Sequence, residues 1–329
     1  MQMKKFYLIA GAALVMLAGC TKTELVSTEN EQKPIAFENF VHKTTKATEA
    51  VETTVEANGF GVSAFYTLNS SSSSSAYFEN IDVAYTSADD RYKTTYYWPL
   101  EGTMDFYAVY PKDYSITSST KTIDSFSTEG AVDLMVASKT GESCATHSTT
   151  ATTVPMSFSH VLTQVYFAIK GEEAVNNYKV EKIILEAKNG ATYTYSTGAW
   201  TTPSTDKTYT YYAPSSAVTF KGSNYVVFGT KADNSLMLIP QSDVTVKIYY
   251  TVETPAGAVL AKFNEDTAGN NHQYKSFVAS SSTVTTDVDW AKGTTVKYQL
   301  TLPLGGKPIE FTATVNAWAT ETGQEVTWN

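Results

Sequence analysis

The stretch Val154-Pro-Met-Ser-Phe-Ser-His-Val-Leu-Thr-Gln-Val-Tyr-Phe-Ala-Ile169 is the longest apolar strand pattern in the chain, and it indicates the class of fold. Its apolar residues alternate with small or polar ones, which is typical of a β-strand with one buried face. The parity of this alternation changes along the stretch, so that Phe158 lies on one face and Phe167 on the other. We therefore predict one long strand with a β-bulge near residues 161–164.

Short segments of the same kind lie on both sides of this stretch and are separated by turn residues, which is typical of a β-sandwich. On the N-terminal side we predict strands at Ile35–Phe40, Gly59–Tyr66, Tyr77–Tyr85, Tyr96–Pro99, Met104–Tyr110 and Asp133–Ala137. On the C-terminal side we predict strands at Val180–Ala187, Ala191–Tyr195, Tyr225–Gly229, Leu236–Ile239, Val244–Val252, Val259–Phe263, Val296–Leu302 and Ile309–Val315. The Gly305-Gly306 pair predicts an antiparallel hairpin of the last two strands, and residues 41–58 are predicted to be an exposed loop.

Length and composition favour two all-β domains. They also argue against nucleic-acid binding. The chain has 329 residues, of which 22 are Tyr and 15 are Phe, and these aromatic residues fit a pleated, half-buried surface. A polar segment places the predicted boundary so that the two β-sandwiches comprise residues 35–152 and 153–329. The net charge is −9 and Arg91 is the only arginine, which argues against binding to phosphate backbones.

The N-terminal residues have the pattern of an export signal. Lys4 and Lys5 precede an apolar run that is too short to span a bilayer, and the run ends in Leu17-Ala18-Gly19-Cys20. These four residues match the bacterial lipobox, in which the cysteine is acylated and the chain is cut just before it. We therefore expect residues 1–19 to be a signal peptide, Cys20 to be lipidated and residues 20–34 to be a polar tether.

The residues with catalytic or metal-binding potential form no convincing constellation. Cys144 and His147 have a CxxH spacing without a second ligand pair, an orienting acid or an oxyanion hole. His160 alternates with apolar residues and is predicted to be a core or interface histidine. The paired carboxylates at 89–90 and 172–173 are predicted to be solvated turns rather than glycosidase or calcium sites. We predict a protein that is not an enzyme and has no cofactor or metal.

Several segments, taken together and in order, resemble the fimbrillin family of Bacteroidetes, specifically its Mfa-like group. The matching segments are Gly59–Val62, Tyr97–Pro99, Phe106–Pro111, Asp133–Ala137, Phe158–Leu162, Leu238–Gln241, Trp290–Gly293 with Tyr298, and Ile309–Trp318. The resemblance implies two transthyretin-like antiparallel sandwiches and a pilus subunit, serving as stalk, tip or anchor, at the outer membrane. Its implied partners are other fimbrillin subunits, outer-membrane lipid through Cys20, and a host or glycan ligand.

The same resemblance implies assembly by strand donation. Proteolysis in the loop after the first strand would release Ile35–Phe40, and the C-terminal segment of a neighbouring subunit would fill the vacated groove. The implied cut is at Lys46-Ala47, with Lys43 as second choice, and the implied donor is Glu321–Asn329 with Val326 and Trp328 inserted. The alternative hypothesis is a monomeric surface lipoprotein that binds glycans through exposed aromatic residues.

Overall fold

The structure is a computed structural model that describes residues 33–41, 52–150, 152–228, 235–263, 275–279, 290–305 and 307–317. These ranges are mostly β-strand, which confirms the predicted all-β class. Two short helices accompany the strands, α1 (Glu52–Asn58) and α2 (Cys144–Thr149). Within the described ranges, neither helix has the length and apolar composition that a membrane span requires.

The strands of the described ranges are numbered in chain order. They are β1 (Pro34–Val41), β2 (Phe60–Thr67), β3 (Ser75–Val83), β4 (Tyr85–Thr86), β5 (Arg91–Tyr97), β6 (Thr103–Tyr110), β7 (Thr122–Phe126), β8 (Met135–Ser143), β9 (Val154–His160), β10 (Thr163–Gly171), β11 (Asn177–Asn189), β12 (Ala191–Thr194), β13 (Ala199–Trp200), β14 (Thr205–Tyr212), β15 (Val218–Lys221), β16 (Val226–Phe228), β17 (Leu236–Leu238), β18 (Val244–Glu253), β19 (Val259–Phe263), β20 (Lys275–Ala279), β21 (Thr294–Leu302) and β22 (Glu310–Ala317).

The first sheet has eight strands in the order β3-β2-β6-β8-β9-β1-β5-β4. It folds over itself, because the ring of Phe37 in β1 lies 6.0 Å from Phe60 in β2 and 5.3 Å from Phe106 in β6, although these strands are not its neighbours in the sheet. The apolar alternation of β6 explains the packing, since Met104 and Phe106 point into this first core.

Two further sheets enclose a second core. One contains β16, β10, β21 and β22 in that order with β17 beside β10, and the other contains β14, β11, β18 and β19 with β15 and β20 at its edges. Alternate residues of β10, β11, β18 and β21 fill the space between them. The predicted hairpin is confirmed, because β21 and β22 pair antiparallel with Val296 opposite Val315.

A small third core joins the two halves of the molecule, and we call it the waist core. It lies against a three-stranded sheet in the order β13-β12-β7, in which β7 from the first half of the chain pairs with β12 from the second. Its buried residues are Val109, Ile116, Ile123, Phe126, Leu134, Val136, Val161, Leu162, Ala191, Tyr193, Met237 and Ile239. Polar contacts reinforce it: Thr128 N–H donates to Asn189 Oδ1 at 3.1 Å, and Tyr195 Oη donates to Ala108 O at 2.7 Å.

The predicted bulge near residues 161–164 is wrong. The chain leaves the first sheet after His160 and enters a different sheet at Thr163, so the parity change marks a passage between sheets. Val161 and Leu162, at the passage, are buried in the waist core. Strand β9 thus belongs to the first sheet, although it follows the predicted boundary at 152/153; the division into two domains stays a prediction.

The predicted loop at residues 41–58 is also partly wrong, because α1 occupies its end. Val55 is the helix residue that is fully buried in the first core, and the surrounding Thr and Glu residues gave no apolar period. Strands β7, β14 and β15 were not predicted, since Thr, Ser and charged residues make up half or more of each strand.

Candidate functional site

The position of β1 is the most distinctive functional feature of the fold. This strand, the first of the described residues, lies inside the first sheet, antiparallel to β5 and parallel to β9. Phe37 is opposite Tyr92 on one side and Val154 on the other. We call the space between β5 and β9 the β1 slot. Strand β1, which occupies this slot, is hydrogen-bonded on both sides to strands that come much later in the chain.

Side-chain and main-chain hydrogen bonds fix the start of β1. The backbone N–H of Trp98 donates to Lys33 O at 3.0 Å, and the hydroxyl of Thr94 donates to Ile35 O at 3.0 Å. Both donors belong to β5 or to the residue after it, so the beginning of β1 is tied to β5, whereas Phe37–Val41 pair with β9.

The β1 slot is apolar on the inside. Ile35 and Phe37 are completely buried, and Ala36 is nearly so. Around them lie Tyr92, Trp98, Val154, Met156 and Phe158, all buried members of the first core. Burying an Ile or Phe side chain contributes roughly 1.5–3 kcal/mol, so an empty slot would expose both an apolar groove and two unpaired strand edges.

A cluster around His147 supports the wall of the slot. The imidazole stacks on the indole of Trp98 with ring centroids 4.2 Å apart and an angle of 10° between the planes. Its Nε2 lies 2.7 Å from Glu142 Oε2, and its Nδ1 lies 2.5 Å from Thr152 Oγ1. Cys144 is buried nearby, and burial raises the pKa of its thiol to about 11, so the thiol is not a reactive nucleophile at neutral pH.

The other polar residues considered from the sequence have structural contacts. His160 is buried, as predicted for a core histidine, and its Nδ1 lies 2.9 Å from Asp133 Oδ1. Asp89 pairs with Lys93, and Glu172 pairs with Lys307, all at the surface. Among the residues that the structure describes, no three His, Cys, Asp or Glu side chains lie close enough together to hold a metal ion.

The residues predicted for processing and donation lie outside the described ranges. They are Cys20, the loop residues Lys43, Lys46 and Ala47, and the tail residues Val326 and Trp328. The predicted strand Ile35–Phe40 corresponds to β1, but the sequence analysis did not predict which strands lie beside it. Pairing partners distant in sequence leave no periodic signal, so the walls of the slot had to come from the structure.

Comparison with solved structures identifies proteins of similar fold. A fimbrial protein from Bacteroides vulgatus shares 18% identity with this chain and has a TM-score of 0.57 to it, covering 86% of this chain and 99% of its own. A candidate cell adhesion protein from Bacteroides uniformis shares 17% identity with a TM-score of 0.45, covering 87% of this chain and 98% of its own. No curated protein matches the sequence.

The chain thus has the all-β fold of a fimbrial protein. It belongs to the fimbrillin-like family, whose model matches residues 45–318.

Proposed function

We propose that this chain is a subunit of a cell-surface pilus and that it joins its neighbour by exchange of β1. Membership of the fimbrillin-like family supports a pilus or adhesion subunit, and the B. vulgatus structure with the same fold is a fimbrial protein. In our proposal β1 fills the slot only until assembly. An extended segment of another copy, or of a related subunit, then takes its place.

The observation that carries this proposal is the placement of β1. Once it is cut from α1, β1 can leave its interior position without drawing another described element with it; β9 then stays paired with β8, and β5 stays paired with β4. The vacated slot offers main-chain groups on both sides, which is the arrangement used in β-strand addition. Its apolar interior supplies affinity for alternate side chains of the incoming strand.

A cut between β1 and α1 would release the strand. Lys46 lies between Val41, the last residue of β1, and Glu52, the first of α1. Cutting at Lys46-Ala47, or at Lys43, leaves β1 held only by hydrogen bonds and packing. The same cut separates the folded body from Cys20, so opening of the slot and release from a lipid anchor in the outer membrane would occur together.

The donor proposed here is Glu321–Asn329, which follows the edge strand β22. It has nine residues and β1 has eight, so its length matches the slot. Val326 and Trp328 are two positions apart, like the buried Ile35 and Phe37. We propose that the donor runs in the direction of β1, parallel to β9, because this direction reproduces the existing hydrogen-bond ladder.

The proposal is tested by limited proteolysis of mature protein that begins at Thr21. Limited digestion at lysine should remove β1 and produce ordered polymers, seen by size-exclusion chromatography and electron microscopy. A variant that ends at Thr320 should fold and be cut but remain monomeric. A matched control lacking residues 21–29 of the tether should polymerise normally.

Replacing Lys43 and Lys46 with Gln should keep the protein monomeric after the same treatment. Polymers formed by the variant that ends at Thr320 would contradict strand exchange. So would polymers whose cut subunits still retain β1. A cut monomer that loses β1, keeps its sheets and never associates would contradict it equally.

A further inference from the structure

The second half of the molecule carries an open cleft that strand exchange does not use. It has a volume of about 640 Å³, within the range of small-molecule sites, and lies beside β13 and the loop after β17. Trp200, Pro203, Pro240 and Gln241 form its floor, while Lys188, Asp243 and Lys292 stand on the rim.

The floor of the cleft is fixed before any ligand arrives. Trp200 is half-buried; its Nε1 donates to Val161 O at 2.6 Å, and its ring lies 5.3 Å from Phe126 and 5.2 Å from Tyr193. Gln241 is held by three hydrogen bonds: its Oε1 accepts from Lys188 N–H at 2.7 Å, and its Nε2 donates to two backbone carbonyls. Because these groups are already ordered, a ligand loses little affinity to their immobilisation.

The rim carries groups of both signs. Lys292 donates to Gly198 O, which also lines the cleft, and Lys188 pairs with Asp206, which lines the neighbouring cavity. The exposed carboxylate of Asp243 accepts from Ser242 Oγ at 3.0 Å and retains further acceptor capacity. An anionic ligand would face Asp243, and a cationic ligand would face two lysines.

Hydroxyl groups suit such a rim, because each hydroxyl can accept from an ammonium and donate to a carboxylate. An indole beside two prolines provides the apolar surface against which the C–H face of a sugar ring packs. We propose that this cleft binds a neutral saccharide of one or two rings. The cleft lies in the other half from the β1 slot, so the uncut monomer is the protein to test.

The test is a titration of isotopically labelled, uncut mature protein with methyl mannoside, methyl galactoside, N-acetylglucosamine and lactose. At least one of them should shift the Trp200 indole N–H resonance in a saturable manner, with an affinity that does not change with salt. Asp243→Asn should weaken binding about tenfold, because it removes a charged acceptor. Asp243 has a φ of 60°, a conformation that Asn tolerates well, so this variant keeps the local fold.

Tyr97→Ala is the matched control, because Tyr97 is an exposed aromatic residue in the first half, and binding should not change. Trp200→Phe should weaken binding while keeping an aromatic ring in the waist core. Absence of a saturable shift with all four sugars would overturn the proposal. So would binding that Asp243→Asn and Trp200→Phe leave unchanged, or tighter binding of glucose 6-phosphate that declines as salt rises.

Discussion

Replacement of Phe37 by alanine distinguishes a permanent core strand from an exchangeable one. Phe37 is completely buried and makes edge-on ring contacts with Phe60 and Phe106. Removing a buried Phe side chain costs about 3–5 kcal/mol, and the strands on both sides of the β1 slot limit relaxation around the cavity that is left. We therefore expect Phe37→Ala to lower the free energy of unfolding of the uncut first core by about 4 kcal/mol.

The effect on assembled polymer should be different. If β1 has been replaced by a donor strand, residue 37 is no longer part of the core, and polymers made from Phe37→Ala subunits should unfold at the same urea concentration as wild type. Unfolding is followed by near-ultraviolet circular dichroism, with hydrogen exchange to separate the first core from the second. Phe37→Leu, expected to cost about 1 kcal/mol, serves where the alanine variant does not fold.

Met156→Ala is the matched control, because Met156 is buried in β9 and stays in the core throughout. It should destabilise uncut monomer and polymer alike, by about 2–5 kcal/mol. Loss of polymer stability in Phe37→Ala to the extent seen in the monomer would mean that β1 remains in its slot, and the proposed exchange would be refuted.

Three further predictions concern the packing of the subunit itself. Burial raises the pKa of the Cys144 thiol to about 11, so native protein should resist iodoacetamide at pH 8. Because the folded state holds this proton more tightly than the unfolded state, the thiol's contribution to stability is present below about pH 9 and is lost as the pH rises through about 11. Urea unfolding measured over this pH range checks the loss. Gly171→Ala should destabilise by about 1–3 kcal/mol, because a Cβ there would lie 2.0 Å from a tyrosine ring, whereas Gly305→Ala, in open space, should be neutral in thermal unfolding. Asn189→Ala should cost about 2 kcal/mol in urea unfolding, because it leaves the buried N–H and C=O of Thr128 unsatisfied.

The alternation of apolar residues was sufficient to predict the fold class and most strands of the two large cores. It failed where a strand is mainly polar, as in β7, and where a helix buries a single side chain, as Val55 in α1. The Val154–Ile169 stretch illustrates the limit of periodicity. A change of parity has the same appearance whether the chain bulges within one sheet or crosses to another, and only tertiary pairing distinguishes the two.

The candidate site was predicted in part. The first strand was located from its sequence, but its interior position and its parallel pairing with β9 depend on contacts between distant segments. The cleft beside Trp200 was not predicted, because its residues come from four separate segments and their spacing carries no motif. The general hypothesis of an aromatic sugar platform was available from composition, whereas its location required the fold.

The waist core also has a mechanical consequence. Two halves of a chain that share only a small polar contact normally move relative to each other. Here a strand from each half pairs in one sheet over a shared apolar cluster, and hydrogen bonds such as those of Asn189 cross the same region. Bending of a filament built from this protein would therefore be taken up at the joints between successive copies, while each copy bends little within itself.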